Sequence, residues 1–100
     1  MIRHEVILRI KPDYPRERID RTLFEIRGLL RQIDGIASVR TGANNAAAYR
    51  HALIVVDIED EIALQRFQRH PLHARAVRLV GRMAESTAVG SYLVGSEHPR

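Results

Sequence analysis

Five histidines, His4, His51, His70, His73 and His98, are the residues of this sequence suited to acid–base chemistry. The imidazole is the side chain whose ordinary pKa lies closest to neutral pH, so it can take or give a proton there. In Phe67-Gln68-Arg69-His70-Pro71-Leu72-His73, Pro71 drives His70 out of the helical region, which ends one helix and places His73 in the first turn of the next. The positive end of a helix dipole disfavours an imidazolium, so His73 stays neutral and is a candidate general base. The plainer alternative is a surface histidine that caps the helix. His70 is a secondary candidate for the same role. His4 shares a strand face with Val6 and Leu8, and His51 shares one with Leu53 and Val55. An imidazole among apolar neighbours finds a partner or titrates low. Each of these two is therefore either a satisfied core histidine or part of a site wall.

Other chemistries lack their residues. With no cysteine there is no disulfide, thiolate zinc site or thiol nucleophile. His70 and His73 would pair as metal ligands on one continuous helix, but the proline breaks that geometry and no carboxylate supplies a third ligand; no metal site is expected. There is no glycine-rich phosphate loop and no GxSxG. The few serines, Ser38, Ser86, Ser91 and Ser96, suggest no triad.

The elements that must position the histidines follow from periodicity. Residues 2–11 alternate, with Ile2, His4, Val6, Leu8 and Ile10 on one face. Residues 15–34 predict a helix: Pro15 suits its first turn, Ile19, Leu23, Ile26, Leu30 and Ile33 form one stripe, and Gly35 ends it. Residues 36–43 form a second strand, residues 44–48 a turn or loop, and residues 49–58 a third strand. Asp60 is the expected N-cap of a helix over 61–69. After His70-Pro71 a second helical piece covers 72–85, with Val77, Val80 and Ala84 inward, and a last strand covers 87–95. The order β-α-β-β-α-β, with its second helix broken, predicts an α+β two-layer sandwich of ferredoxin-like topology. The domain is expected over residues 1–96, with residues 97–100 as a flexible tail.

Helices cover only one face of such a sheet. Strand three carries Ala52, Ile54, Val56 and Ile58 on one face and Leu53 and Val55 on the other, so both are apolar. An exposed apolar face of that size favours association, and two-fold dimers are the commonest solution. A homodimer through the sheet face is the expectation.

Charge and length exclude more. The net charge of +4 comes from fifteen arginines and the single Lys11, interleaved with acidic residues such as Glu17, Asp20, Glu25 and Glu59, the pattern of a mixed solvated surface. RNA-recognition domains share this strand order but stack bases on aromatic residues of the central strands. Strand one here has none and strand three has only Tyr49, so no nucleic acid is expected. Arg3, His4, Glu5 and Arg9 interrupt any apolar leader, and no apolar run is long enough to span a membrane. A cytoplasmic location with no membrane partner follows.

Three segments resemble one family. The opening Ile2-Arg3-His4-Glu5-Val6-Ile7-Leu8-Arg9-Ile10-Lys11-Pro12, the middle Tyr49-Arg50-His51-Ala52-Leu53-Ile54-Val55-Val56, and Phe67-Gln68-Arg69-His70-Pro71-Leu72-His73 are similar to stress-responsive A/B-barrel (Dabb) domains. The last looks like that family's aromatic-x-x-His-Pro-x-His signature. The resemblance spans residues 1–95 and implies a ferredoxin-like fold whose two sheets pack into a dimeric α+β barrel. Family members are heterogeneous. One characterised plant member is a polyketide cyclase that uses no cofactor. By that resemblance His73 would be the base of an aldol cyclisation, and His4, His51, Leu23 and Ile26 would line the pocket. Where that enzyme has a tyrosine assisting the base, this chain has Phe67, which has no hydroxyl; Arg69 and His70 are the neighbouring donors that would have to replace it.

Two functions therefore compete. In the first, the chain binds or transforms a small carbonyl-bearing apolar molecule without a cofactor, as a cyclase, lyase, isomerase or oxygenase. His73 would be its base and His4, Val6, Leu8, Leu23, Ile26, His51, Leu53 and Phe67 its pocket. His4 and His51 would stand toward opposite ends of that pocket, which would be elongated. In the second, the chain is a non-catalytic stress-associated binding or structural homodimer whose interior is filled. A cavity that reaches His73 discriminates between them.

Overall fold

The computed structural model describes residues 1–44 and 50–95. Its elements run β1 (Ile2–Ile10), α1 (Arg16–Leu30), β2 (Ile36–Asn44), β3 (His51–Ile58), α2 (Glu61–Arg69), α3 (Pro71–Met83) and β4 (Ala84–Leu93). The strands form one antiparallel sheet in the order β2-β3-β1-β4, the expected ferredoxin-like arrangement with its second helix split in two. The expected strand start at Tyr49, the loop at 45–48, His98 and the tail at 97–100 lie outside the described residues.

Alternation decides what each strand offers. His4, Val6, Leu8 and Ile10 of β1 lie level with Val56, Ile54 and Ala52 of β3 and with Ser91, Val89 and Thr87 of β4, all toward the helices. On that side Leu8, Ile10, Val56 and Ile58 pack with Ile19, Leu23 and Ile26 of α1, with Phe67 of α2 and with Met83 of α3. Burying a Leu or Ile side chain contributes about 1.5–3 kcal/mol, so this α1 stripe holds the helix layer on the sheet.

Several element ends differ from expectation: β1 stops at Ile10 rather than 11, β2 runs on through Asn44, β3 begins at His51 with Arg50 outside it, and β4 ends at Leu93 rather than 95. Pro15 is the N-cap of α1 rather than a member of its first turn. The helix stops at Leu30, because beyond the Arg31 cap the chain tightens into i→i+3 hydrogen bonds, Gln32 N–H to Leu29 O (3.3 Å) and Ile33 N–H to Leu30 O (3.2 Å). Gly35 then adopts φ +89°, and a Cβ added there would sit 2.6 Å from Ala63 Cβ. Only glycine permits both this turn and the close approach of α2. Finally, α3 ends at Met83 and β4 begins at Ala84, not at 85 and 87. The helix passes into the strand with no glycine or turn to mark the junction.

The opposite sheet face carries Ile7 (49% exposed) and Leu53 (39% exposed), which are cross-strand neighbours. Toward one end, Asp57 accepts hydrogen bonds from Arg3 Nε (2.8 Å) and Ser38 Oγ (3.2 Å), with Arg40 3.6 Å away. The hydrogen bond from Arg3 holds the Asp57 carboxyl below its ordinary pKa. Glu5 accepts a hydrogen bond from the Tyr92 hydroxyl on the same face.

Candidate functional site

Three local features place the aromatic–histidine motif. Asp60 caps α2, accepting from Ala63 N–H at 2.8 Å, and so sets the helix that carries Phe67. His70 is extended (φ −74°, ψ 139°) ahead of Pro71, and its Nδ1 accepts from Leu72 N–H at 3.0 Å. The capping role that sequence allowed for His73 thus falls to His70, which leaves His73 free to turn inward from the first turn of α3.

His73 opens onto a cavity of about 470 Å³ between α3, α1, the sheet and β4, within the roughly 300–1,000 Å³ of small-molecule sites. From β1 come His4 and Val6, from β3 Ile54 and Val56, from α1 Ile26 and Leu30, from α2 Phe67 and Gln68, and from β4 Thr87 and Val89. The helix α3 supplies His73, Ala76, Val77, Val80 and Gly81, one stripe at i, i+3, i+4, i+7 and i+8. No charged side chain lines the space among the described residues.

Of the residues expected at a pocket, His73, His4, Val6, Ile26 and Phe67 meet at this cavity. Leu8 and Leu23 do not line it; they are fully packed core. His51 and Leu53 do not line it either. His51 pairs with Arg9 across β1 and β3, and Leu53 with Ile7, so odd-numbered parity sends both to the face away from the helices. There His51 is exposed and Leu53 borders a shallow polar recess with Arg3, Glu5 and Arg40. Neither Arg69 nor His70 lines the cavity, so neither stands where a hydroxyl on Phe67 would.

Phe67 is the centre of the site. Its ring, 1% exposed, meets His73 edge-on with centroids 4.7 Å apart and His4 edge-on at 5.7 Å. Two imidazoles therefore flank one apolar ring. Burial pushes the His73 imidazole below its ordinary pKa of 6.5; burial, and then the nearby His73, do the same for His4. Both shifts favour the neutral ring, the state in which one nitrogen accepts a proton and the other donates. His4 Nδ1 lies 2.6 Å from Ser91 Oγ of the adjacent strand.

Sequence reasoning passed over Gln68, Ala76, Gly81, Thr87, Val89 and Ser91. Ala76 and Gly81 carry no hydrophobic signal, but extending the stripe from His73 by three, four, seven and eight residues would have found the whole α3 wall. Ser91 faces His4 only through the β1–β4 register, which spacing alone does not reveal.

Among the described residues no group of three or more His, Asp or Glu side chains is placed to hold a metal ion, and no helix is long and apolar enough to cross a membrane.

A family model for the Stress responsive A/B Barrel Domain matches residues 2–93. No curated protein matches the sequence. Among solved structures, a protein of Arabidopsis thaliana superposes with a TM-score of 0.82 at 16% identity, over 99% of this chain and 100% of that one. A dimeric ferredoxin-like protein of unknown function from Thermobifida fusca gives 0.79 at 22% identity, over 93% and 90%. A hydroxynitrile lyase from Passiflora edulis gives 0.77 at 17% identity, over 98% and 96%. At such identities the likeness is one of fold.

Proposed function

Because this chain belongs to the stress responsive A/B barrel domain family, whose fold hosts more than one chemistry, we propose a function from its own cavity: it binds and transforms a small, apolar, carbonyl-bearing molecule without a cofactor, with His73 as general base. The observation that carries this reading is the open cavity with His73 and His4 on either side of Phe67. A purely structural dimer would have no reason to keep about 470 Å³ unfilled in front of a half-buried histidine.

In the reaction, His73 removes a proton from the carbon beside the carbonyl. The C–H bond breaks, an N–H bond forms on the imidazole, and the electron pair moves onto the carbonyl oxygen as an enolate. Burial keeps the imidazole free to accept a proton; because it also disfavours the imidazolium that forms, the step depends on a donor that stabilises the enolate oxygen. The apolar walls exclude water from the enolate. Cyclisation and isomerisation can both begin this way, and the fold alone does not choose between them.

The working form is a homodimer paired through the sheet face that bears Ile7 and Leu53. Its support is the exposed apolar pair at the centre of a face no helix covers, and the dimeric state named for the Thermobifida fusca protein.

The test is thermal unfolding of the wild type and His73→Ala with acetophenone, benzoylacetone and phenol. A ligand at a hundred times its Kd adds about 2.7 kcal/mol, a rise on the order of 10 °C at about 4–8 °C per kcal/mol. A rise lost in His73→Ala supports the reading and directs turnover assays. The absence of any rise in a folded wild type refutes carbonyl binding at this site.

A further inference from the structure

We infer that the ligand of this cavity is an anion: its apolar, carbonyl-bearing body fills the cavity, and a carboxylate or phosphate stays outside, met by Arg78 and Arg82 of α3. The inference names the substrate class of the carbonyl-binding site and rests on that reading for the body of the ligand. The charge is argued separately, from the arginines.

The charge of the chain is unevenly spread. From Ile62 to Ala84 there are five arginines and no acidic residue, whereas the rest of the chain has eleven basic and twelve acidic residues. The whole positive excess therefore falls on α2 beyond Glu61 and on α3, the helix pair that walls the cavity. Arg66, Arg69, Arg75, Arg78 and Arg82 are all exposed. None of their guanidinium groups has an ion-pair or hydrogen-bond partner among the described residues. A solvated surface ordinarily mixes both signs of charge; here the acidic half is missing. Like charges held together repel one another, and an anion placed against them relieves that repulsion.

Helix geometry sets two of the five beside the mouth. The lining residues that are also exposed are Gln68, Val77, Gly81, Thr87 and Val89, so the cavity opens chiefly between α3 and β4. At about 100° per residue, Arg78 stands about 60° round α3 from Gly81, and Arg82 about 100° from it, both on the solvent side of that flank. Across the mouth Thr87 and Val89 are neutral, and Glu85, the acidic residue of β4, is held by Arg9 at 2.9 Å. Inside, no charged side chain lines the space among the described residues, so a carboxylate there would lose its hydration without a partner. The same group at the rim stays hydrated and faces guanidinium forks, which match carboxylate and phosphate oxygens in pairs. The site thus selects an amphipathic ligand by both of its ends.

Isothermal titration calorimetry of the full chain with 5-oxo-5-phenylpentanoate and with its methyl ester tests this. Both carry a phenyl ketone; they differ in the charge at the far end. At low salt the acid should bind about fourfold tighter than the ester or better, since each exposed ion pair supplies a factor of about two to five. That advantage should vanish at about 500 mM NaCl. Arg78→Gln/Arg82→Gln should bring the acid to the ester's Kd and leave the ester's unchanged; glutamine is nearly as good a helix former as arginine, so the fold persists. Arg16→Gln should alter neither Kd, because Arg16 lies about three turns before Arg27 and, like it, on the β2 side of α1. Glutarate, which has the charge without the ketone body, should not bind. Equal affinities for acid and ester, an advantage that survives the double variant or is lost in Arg16→Gln, or glutarate binding as well as the acid would each overturn this inference alone. If neither ketone binds, the carbonyl reading falls and this one with it.

Discussion

Gly81 is the position where stability and cavity can be separated by one side chain. It lies within α3 on the stripe that begins at His73 and lines the cavity. A Cβ built there meets no atom within 4 Å. Glycine in a helix interior costs about 0.5–1 kcal/mol relative to alanine, through backbone entropy. With no clash to offset the gain, Gly81→Ala should stabilise the protein by about that amount. At roughly 4–8 °C per kcal/mol for a domain of this size, the midpoint of thermal unfolding by circular dichroism should rise by about 2–8 °C. Gly81→Leu keeps most of that helix benefit but projects an isobutyl group into the open space. It should unfold no earlier than wild type, yet lose the midpoint rise produced by any carbonyl compound that stabilises the wild type. A fall in the midpoint of Gly81→Ala would show that the space beside α3 is not open. A Gly81→Leu variant that responds to ligand as the wild type does would show that ligands bind elsewhere, and would refute the reasoning for the cavity.

The histidines should make stability fall on mild acidification. His4 and His73 are held below 6.5 in the fold, so the unfolded chain binds protons first and stability declines from about pH 6.5 down to the lowered folded-state values, by up to about 1.4 kcal/mol per pH unit for each suppressed proton. Urea midpoints measured from pH 7.5 to 5 should show this slope, flattened in the double variant His4→Gln/His73→Gln; equal slopes would mean that the fold lowers neither imidazole's pKa. Asp60→Ala removes the α2 cap and should cost about 1 kcal/mol, within the usual 0.5–2 kcal/mol for such caps, read as a lower thermal midpoint. Leu53→Arg places a charge at the centre of the uncovered sheet face and should convert the proposed dimer to monomer by sedimentation velocity; an unchanged dimer would put the interface elsewhere.

Much of the architecture is written in local pattern. The alternation in residues 2–11 and the stripe from Ile19 to Leu30 name the right faces, and Pro71 marks the break at His70. Site membership is less local. Parity placed His51 with Leu53 and Val55 correctly, but nothing in a strand with two apolar faces says which one the helices will cover; the register against β1 decides it. Leu8 and Leu23 are indistinguishable by type from Val6 and Ile26, and depth alone separates packed core from cavity wall. The cavity also depends on residues that are small, Ala76 and Gly81, where the informative property is missing volume. The α3–β4 junction was misjudged because extension there is imposed by pairing with β1, not by the polar residues Glu85, Ser86 and Thr87 themselves.

The pairing of β1 with β4 joins residues 87 positions apart, as His4 and Ser91 show. During synthesis the sheet can assemble β1, α1, β2 and β3 while the rest is still being made, but the wall formed by Thr87 and Val89 arrives last. A nascent chain that has emerged only as far as α3 therefore has His73 in place but not the β4 wall of the cavity. Contacts so distant in sequence form slowly, because the chain must first be closed over the whole intervening length. The cavity is thus incomplete until nearly the entire domain has left the ribosome, and a chain interrupted before β4 lacks the wall that Thr87 and Val89 set opposite His73.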